Sequence, residues 1–225
     1  MGKAITLSAS DGHQLGAYRA DPDGAPKGGV VVIQEIFGVN AHIKEVADGY
    51  AKAGYLAVAP ALFDRVERDL ELGYDEASIA KGRDIAFPLG WDGPVMDIEA
   101  AVKEAAGAGK VGTVGYCWGG SLAYVSACRL NVQAAVGYYG GQITKFMADN
   151  PGDGPKAPTI LHFGEQDAGI PLDDVEKVRA ANPNVPIHMY NAGHGFNCDH
   201  RGSYDEESCK VALERTLDFF AKNLG

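Results

Sequence analysis

Apolar runs rich in β-branched residues alternate along the chain with longer stretches in which apolar positions recur every three or four residues. The runs are AITLS (4–8), LGAYR (15–19), GVVVIQ (29–34), YLAVAP (55–60), KVGTVGY (110–116), QAAVGYY (133–139), PTILHF (158–163) and PIHMY (186–190). The first two flank Asp11-Gly12 and read as a hairpin. GVVVIQ is almost continuously apolar, as a strand buried on both faces must be. Helices are predicted over 41–53, 94–106, 118–130, 171–181 and 204–222. The first stops at Gly54; the second opens on Pro94 and gathers Val95, Ile98, Ala101 and Val102 on one side. This alternation predicts an α/β fold, a mostly parallel doubly wound sheet with helices on both faces. No repeat or linker interrupts the pattern, so residues 1–225 are expected to form a single domain. In such sheets chemistry gathers at the carboxyl ends of the strands, which makes the residues just after each apolar run the functional candidates.

Composition narrows the function classes. The 225 residues are 46% hydrophobic, enough for one substantial core. Thirty acidic residues against 20 basic give a formal net charge of −10 with no Lys/Arg cluster, which argues against nucleic-acid and anionic-membrane partners. The opening MGKAITLSASDGHQLG lacks the apolar stretch of a secretory signal, and no run reaches membrane-spanning length. MGKAIT fits the loose myristoylation pattern, but residues 4–8 already read as a strand. The cysteines, Cys117, Cys128, Cys198 and Cys209, contain no CxxC pair, so zinc-ribbon and thioredoxin readings fail. A cytoplasmic protein with free thiols is expected.

The strongest chemical signal is Gly115-Tyr116-Cys117-Trp118-Gly119-Gly120, between the strand KVGTVG and the helical SLAYVSACRL. It is a nucleophile-elbow pattern with cysteine in the reactive slot. Glycines flank the nucleophile because it sits on a sharp strand-to-helix turn with no room for side chains beside it. The turn also puts the sulfur at a helix N-terminus, where the dipole favours a thiolate. Taken alone, Cys117 also fits a small buried hydrophobe on a glycine-rich turn. A catalytic acid and then a histidine should follow, each after its own strand. Asp167 follows PTILHF and His194 follows PIHMY, in that order. An isolated aspartate there reads equally as a turn residue or helix cap, but three residues on one template in sequence favour a triad. His13 falls in the opening turn, His42 on a surface helix, His162 and His188 inside strands, and His200 in a polar loop.

After the first buried strand comes Gln34-Glu35-Ile36-Phe37-Gly38-Val39-Asn40. Backbone N–H groups of Ile36 and Trp118 are the expected oxyanion donors. Glu35, a carboxylate at the end of a buried strand, either pairs with a cation or takes part in controlling the thiol's proton. Phe37, Trp91, Trp118, Tyr138 and Tyr139 suggest an apolar pocket for planar or cyclic substrates, though each also suits ordinary core packing.

Four of these segments, QEIFGVN (34–40), GYCWGG (115–120), GEQDAGIP (164–171) and AGHGF (192–196), make the chain resemble the dienelactone hydrolases, or carboxymethylenebutenolidases. DIEAA (97–101), VGYYG (136–140) and ERTLDFF (214–220) extend the resemblance over nearly the whole length. It implies an α/β-hydrolase fold, no cofactor and no metal, and hydrolysis of small-molecule lactones or esters by a monomer or homodimer. It assigns Cys117 as nucleophile, His194 as base, Asp167 as its orienting acid, and Glu35 as the group that holds the resting thiol. Family members grip a substrate carboxylate with arginines. Here one of those positions, shortly after the histidine, is Cys198, with Arg201 beyond it. The segment before DIEAA offers Lys81 and Arg83. Phe37, Arg83, Tyr139, Cys198 and Arg201 are thus the substrate-binding candidates. Competing readings are a broader aryl- or thioesterase, a redox-responsive thiol protein with Cys198 as resolving thiol, and a catalytically silent binding module.

Overall fold

The computed structural model describes residues 2–225. Strands β1 (Lys3–Ser8), β2 (Gln14–Ala20), β3 (Gly29–Ile33), β4 (Leu56–Pro60), β5 (Val111–Tyr116), β6 (Ala134–Tyr138), β7 (Thr159–Gly164) and β8 (Ile187–Tyr190) build an eight-stranded sheet. Their order is β1-β2-β4-β3-β5-β6-β7-β8. β2 runs antiparallel to both its neighbours, while β4, β3, β5, β6, β7 and β8 are mutually parallel. The expected parallel sheet therefore carries an antiparallel hairpin on one edge. Every residue of β3, β4 and β5 is buried, which is why their sequences are apolar throughout.

Helices α1 (Ala41–Lys52), α2 (Glu76–Ala86), α3 (Asp92–Ala105), α4 (Trp118–Arg129), α5 (Ile143–Asp149), α6 (Leu172–Ala181) and α7 (Glu206–Leu224) cover the two faces. The pleat of β3 divides its side chains between two cores: Val30 and Val32 join Ile43, Ala47 and Phe220, while Val31 and Ile33 join Ile98, Ala101 and Leu122. Pro94 lies inside the first turn of α3, where its missing N–H leaves nothing unpaired.

Three elements depart from the sequence expectation. Helix α2, the short α5 and a 3₁₀ turn at Leu62–Arg65 were not predicted. Helix α2 is mostly polar and fully buries only Gly82 and Ala86, so it shows little apolar periodicity. Its position is set by contact: a Cβ on Gly82 would lie 2.0 Å from the Ile36 carbonyl oxygen. His42, expected on a surface, is instead 3% exposed. The first turn of α1 faces the sheet's carboxyl edge, where the His200 ring packs 5.5 Å from that of His42.

Asp97 explains part of the DIEAA segment. It is fully buried on α3 and accepts from Arg65 Nε and Nη2 at 2.7 Å each, a bidentate pair. Arg65 also holds Asp11 in the hairpin turn at 2.8 Å, so one guanidinium joins α3 to the sheet edge. Asp97→Ala strands that guanidinium. It is expected to lower unfolding free energy in urea by about 3–5 kcal/mol; a loss within about 0.5 kcal/mol, the usual range for a surface substitution, contradicts the account.

Candidate active site

Cys117 joins β5 to α4 at φ 56°, ψ −117°, a left-handed conformation rare for a residue with a side chain. The residues two before and two after it have to be glycine. A Cβ on Gly115 would lie 1.8 Å from the Gly119 oxygen, and one on Gly119 2.4 Å from the Gln34 and Ile33 oxygens. The turn is held by Cys117 N donating to the Tyr138 carbonyl at 3.0 Å. The sulfur is partly exposed and lines a cavity of about 420 Å³.

His194 and Asp167 approach from the loops after β8 and β7. The Asp167 carboxylate accepts from Gly169 N–H at 2.8 Å through Oδ1 and faces His194 Nδ1 at 2.7 Å through Oδ2. That contact fixes a ring proton on Nδ1 and leaves Nε2 facing away from the carboxylate. His194 lines the same cavity as Cys117. Burial disfavours its charged form, but the adjacent Cys117 sulfur and the Asp167 carboxylate outweigh that and raise its pKa to about 10.

Glu35 is 1% exposed, and its Oε1 accepts from Arg201 Nη1 at 3.2 Å. Of the two roles open to it, pairing with a cation is therefore the one observed. Among the described residues it makes no hydrogen bond to Cys117, so the thiol-holding contact that the family resemblance implies is absent from this arrangement. Arg201 reaches the site across Gly195, whose φ is 79°; a Cβ there would lie 2.5 Å from Nη1. The guanidinium also packs over the Phe37 and Tyr74 rings, at 5.6 and 5.8 Å. The Glu35 loop is itself braced: Gln34 Oε1 accepts from Leu62 N–H at 3.0 Å, and Asn40 caps α1 through Ile43 N–H at 3.3 Å.

Of the substrate-binding candidates, Phe37, Arg83 and Arg201 line the cavity, together with Ile36 and Trp118. Tyr139 and Cys198 do not. Both are fully buried; the Tyr139 ring lies 5.1 Å from His194, and burial pushes the Cys198 thiol up to about 11. Trp91 packs edge-on against Phe146, and the Tyr138 hydroxyl pairs with Thr216 Oγ1 at 2.6 Å; both belong to the core. The sequence reading missed Ile79 and Phe87 of the α2 region and Gln142 and Ile170 of two loops, all lining residues. The aromatic–polar punctuation before Asp75, the α2 N-cap, was the available signal for α2.

A cysteine on a strained strand-to-helix turn, backed by a histidine–carboxylate pair at the carboxyl edge of a parallel sheet, defines an α/β-hydrolase. Residues 15–224 match the model of the Dienelactone hydrolase family, and the chain belongs to that family. It is 36% identical over 228 positions to a carboxymethylenebutenolidase of Pseudomonas putida, covering 97% of this chain and 96% of the relative. Among solved structures, a protein from Klebsiella pneumoniae assigned as a dienelactone hydrolase superimposes with a TM-score of 0.82 at 32% identity, over 99% of each chain. A dienelactone hydrolase-like promiscuous phosphotriesterase from metagenomic libraries shares the fold, with a TM-score of 0.79 at 23% identity over 100% of this chain and 99% of its own. As a family member the chain is a hydrolase acting on ester or lactone bonds. No helix among the described residues is long and apolar enough to cross a membrane.

The raised pKa of His194 has a stability consequence. Folding favours its protonated form, so that contribution is complete below the ordinary value of 6.5 and is lost as pH rises toward 10. The melting-temperature advantage of wild type over His194→Gln is expected to shrink steadily between about pH 6 and about pH 10. A difference that stays constant over that range contradicts the ion pair.

Proposed function

We propose that the chain hydrolyses esters and enol lactones that carry a carboxylate, through a thioester on Cys117. The observation that carries this is the shared cavity: Cys117 and His194 line it together with the two guanidinium-bearing residues Arg83 and Arg201. The remaining wall, with Ile36, Phe37, Ile79, Phe87 and Ile170, suits a planar or cyclic acyl group. Arg201 is presented by Glu35, a positioning residue in this scheme, and Arg83 by α2.

Cys117 passes its proton to His194 Nε2, the resulting thiolate attacks the carbonyl carbon, and the tetrahedral oxyanion is received by the N–H groups of Ile36 and Trp118. Neither N–H donates to another protein acceptor among the described residues. Collapse expels the alkoxide or enolate, which takes the proton from His194 Nε2–H. His194, now neutral, takes a proton from water, whose oxygen attacks the thioester; collapse returns the thiolate and releases the acid. Asp167 keeps the ring oriented throughout. A thiolate leaves the tetrahedral intermediate more readily than an amine does, so amides are expected to be poor substrates. The redox reading is weakened because Cys198 does not line the cavity that Cys117 faces.

Wild type and Cys117→Ala are to be compared on carboxylate-bearing enol lactones and on neutral aryl esters. Cys117→Ala is expected to lose activity by orders of magnitude; full retention overturns the triad. Arg83→Ala is expected to raise KM for the carboxylated series about 10–100-fold, the worth of one charge-assisted contact, and to leave neutral esters unchanged. Equal effects on both series remove the carboxylate from the proposal.

A further inference from the structure

Behind the cavity, two side chains each leave a buried polar atom without a partner: Oε2 of Glu35 and Nε2 of His42. Their residues are 1% and 3% exposed. Cys198, fully buried, completes a trio in which one ligand atom from each residue lies within 4.8 Å of the others. The remaining ring nitrogen of His42, Nδ1, lies 3.3 Å from Asp199 Oδ1. A carboxylate only accepts, so the proton of the neutral ring sits on Nδ1 and Nε2 keeps its lone pair. Two acceptors are then buried without a hydrogen bond from any donor, which is costly unless a positive centre stands between them. An imidazole whose outer N–H is held by a carboxylate is also the usual setting of a metal-bound histidine.

We propose that Glu35 Oε2, His42 Nε2 and Cys198 Sγ form a binding site for a thiophilic divalent transition ion, with zinc as the best match. One oxygen, one nitrogen and one sulfur ligand suit zinc and leave a fourth position open. Zinc bonds of about 2.0–2.3 Å place ligands on the order of 3.3–3.8 Å apart, so closing the trio asks roughly 1 Å of side-chain movement. Cys198 coordinates as the thiolate and its proton passes to solvent. Glu35 keeps Oε1 on Arg201 while Oε2 meets the ion, so the dication is balanced by two anionic ligands and the Arg201 pair is preserved. His42 also belongs to an exposed group with Glu45, Asp199 and His200. That group is internally paired, His200 Nε2 lying 2.8 Å from Glu45 Oε2, and its two carboxylates draw cations to the solvent side of His42. The site stands whether or not Cys117 is the nucleophile, since its readout is binding.

The test uses chelator-stripped full-length protein carrying Cys117→Ser, which removes the competing cavity thiol. Zinc is titrated in competition with a chromophoric chelator, and cadmium is added to read the thiolate-to-metal charge-transfer band in the ultraviolet. One ion per chain and a clear cadmium band are expected. Cys198→Ser should abolish both, and Asp199→Asn should weaken zinc about 10–100-fold by loosening His42. Circular dichroism checks that each variant folds. If Cys198→Ser does not fold, the decision passes to the zinc-induced rise in melting temperature, which His42→Gln should erase. No stoichiometric binding in the Cys117→Ser protein, or binding indifferent to the Cys198, His42 and Asp199 substitutions, overturns the site and leaves water as its occupant.

Discussion

The geometry of the site depends on one strained turn, the left-handed Cys117 between β5 and α4. A non-glycine residue in such a conformation costs on the order of 1–3 kcal/mol, and it persists because the surroundings allow nothing else. Gly115, Gly119 and Gly120 let three backbones pass within contact distance, and the Cys117 N–H is fixed on Tyr138 of the neighbouring strand. From that single constraint follow the exposure of the sulfur, its place at the start of α4, and the aim of the Trp118 N–H. An alanine at Gly115, Gly119 or Gly120 would push α4 off β5, β3 or β6 respectively and take the cavity wall with it.

A second constraint is the burial of the Glu35 carboxylate, which needs a cation and finds it in Arg201. The pairing draws a residue from the loop before α7 across Gly195 and against Phe37, joining the loops after β3 and β8. The guanidinium that lines the cavity thus lies three residues beyond Cys198, the position at which the family resemblance implies an arginine. It also frees position 198 to be a buried thiol facing Glu35 and His42, the arrangement from which the zinc site is inferred.

Much of the fold was legible because its causes are local. Continuous apolar runs mark strands buried on both faces, and the order of runs and helical stretches fixes a parallel sheet with chemistry at its carboxyl edge. Gly115-Tyr116-Cys117-Trp118-Gly119, Asp167 and His194 were readable for the same reason: each sits a few residues past a recognisable strand, and the glycine requirement is written into the pentapeptide. Helix α2 was not readable, since only Gly82 and Ala86 are fully buried and its place is set by contact with the Ile36 loop.

The sequence by itself determined the sheet, the elbow and the order of the proposed triad, because hydrophobic period and turn chemistry act between residues close in the chain. Only the tertiary structure decided which long-range partners meet. It turned His42 inward, put Glu35 on Arg201, placed Arg83 and Arg201 in the cavity wall, and withdrew Tyr139 and Cys198 from it. Those outcomes depend on how loops from distant strands share a few ångströms of buried space, and the charge and packing balance settled there has no periodic signature along the chain.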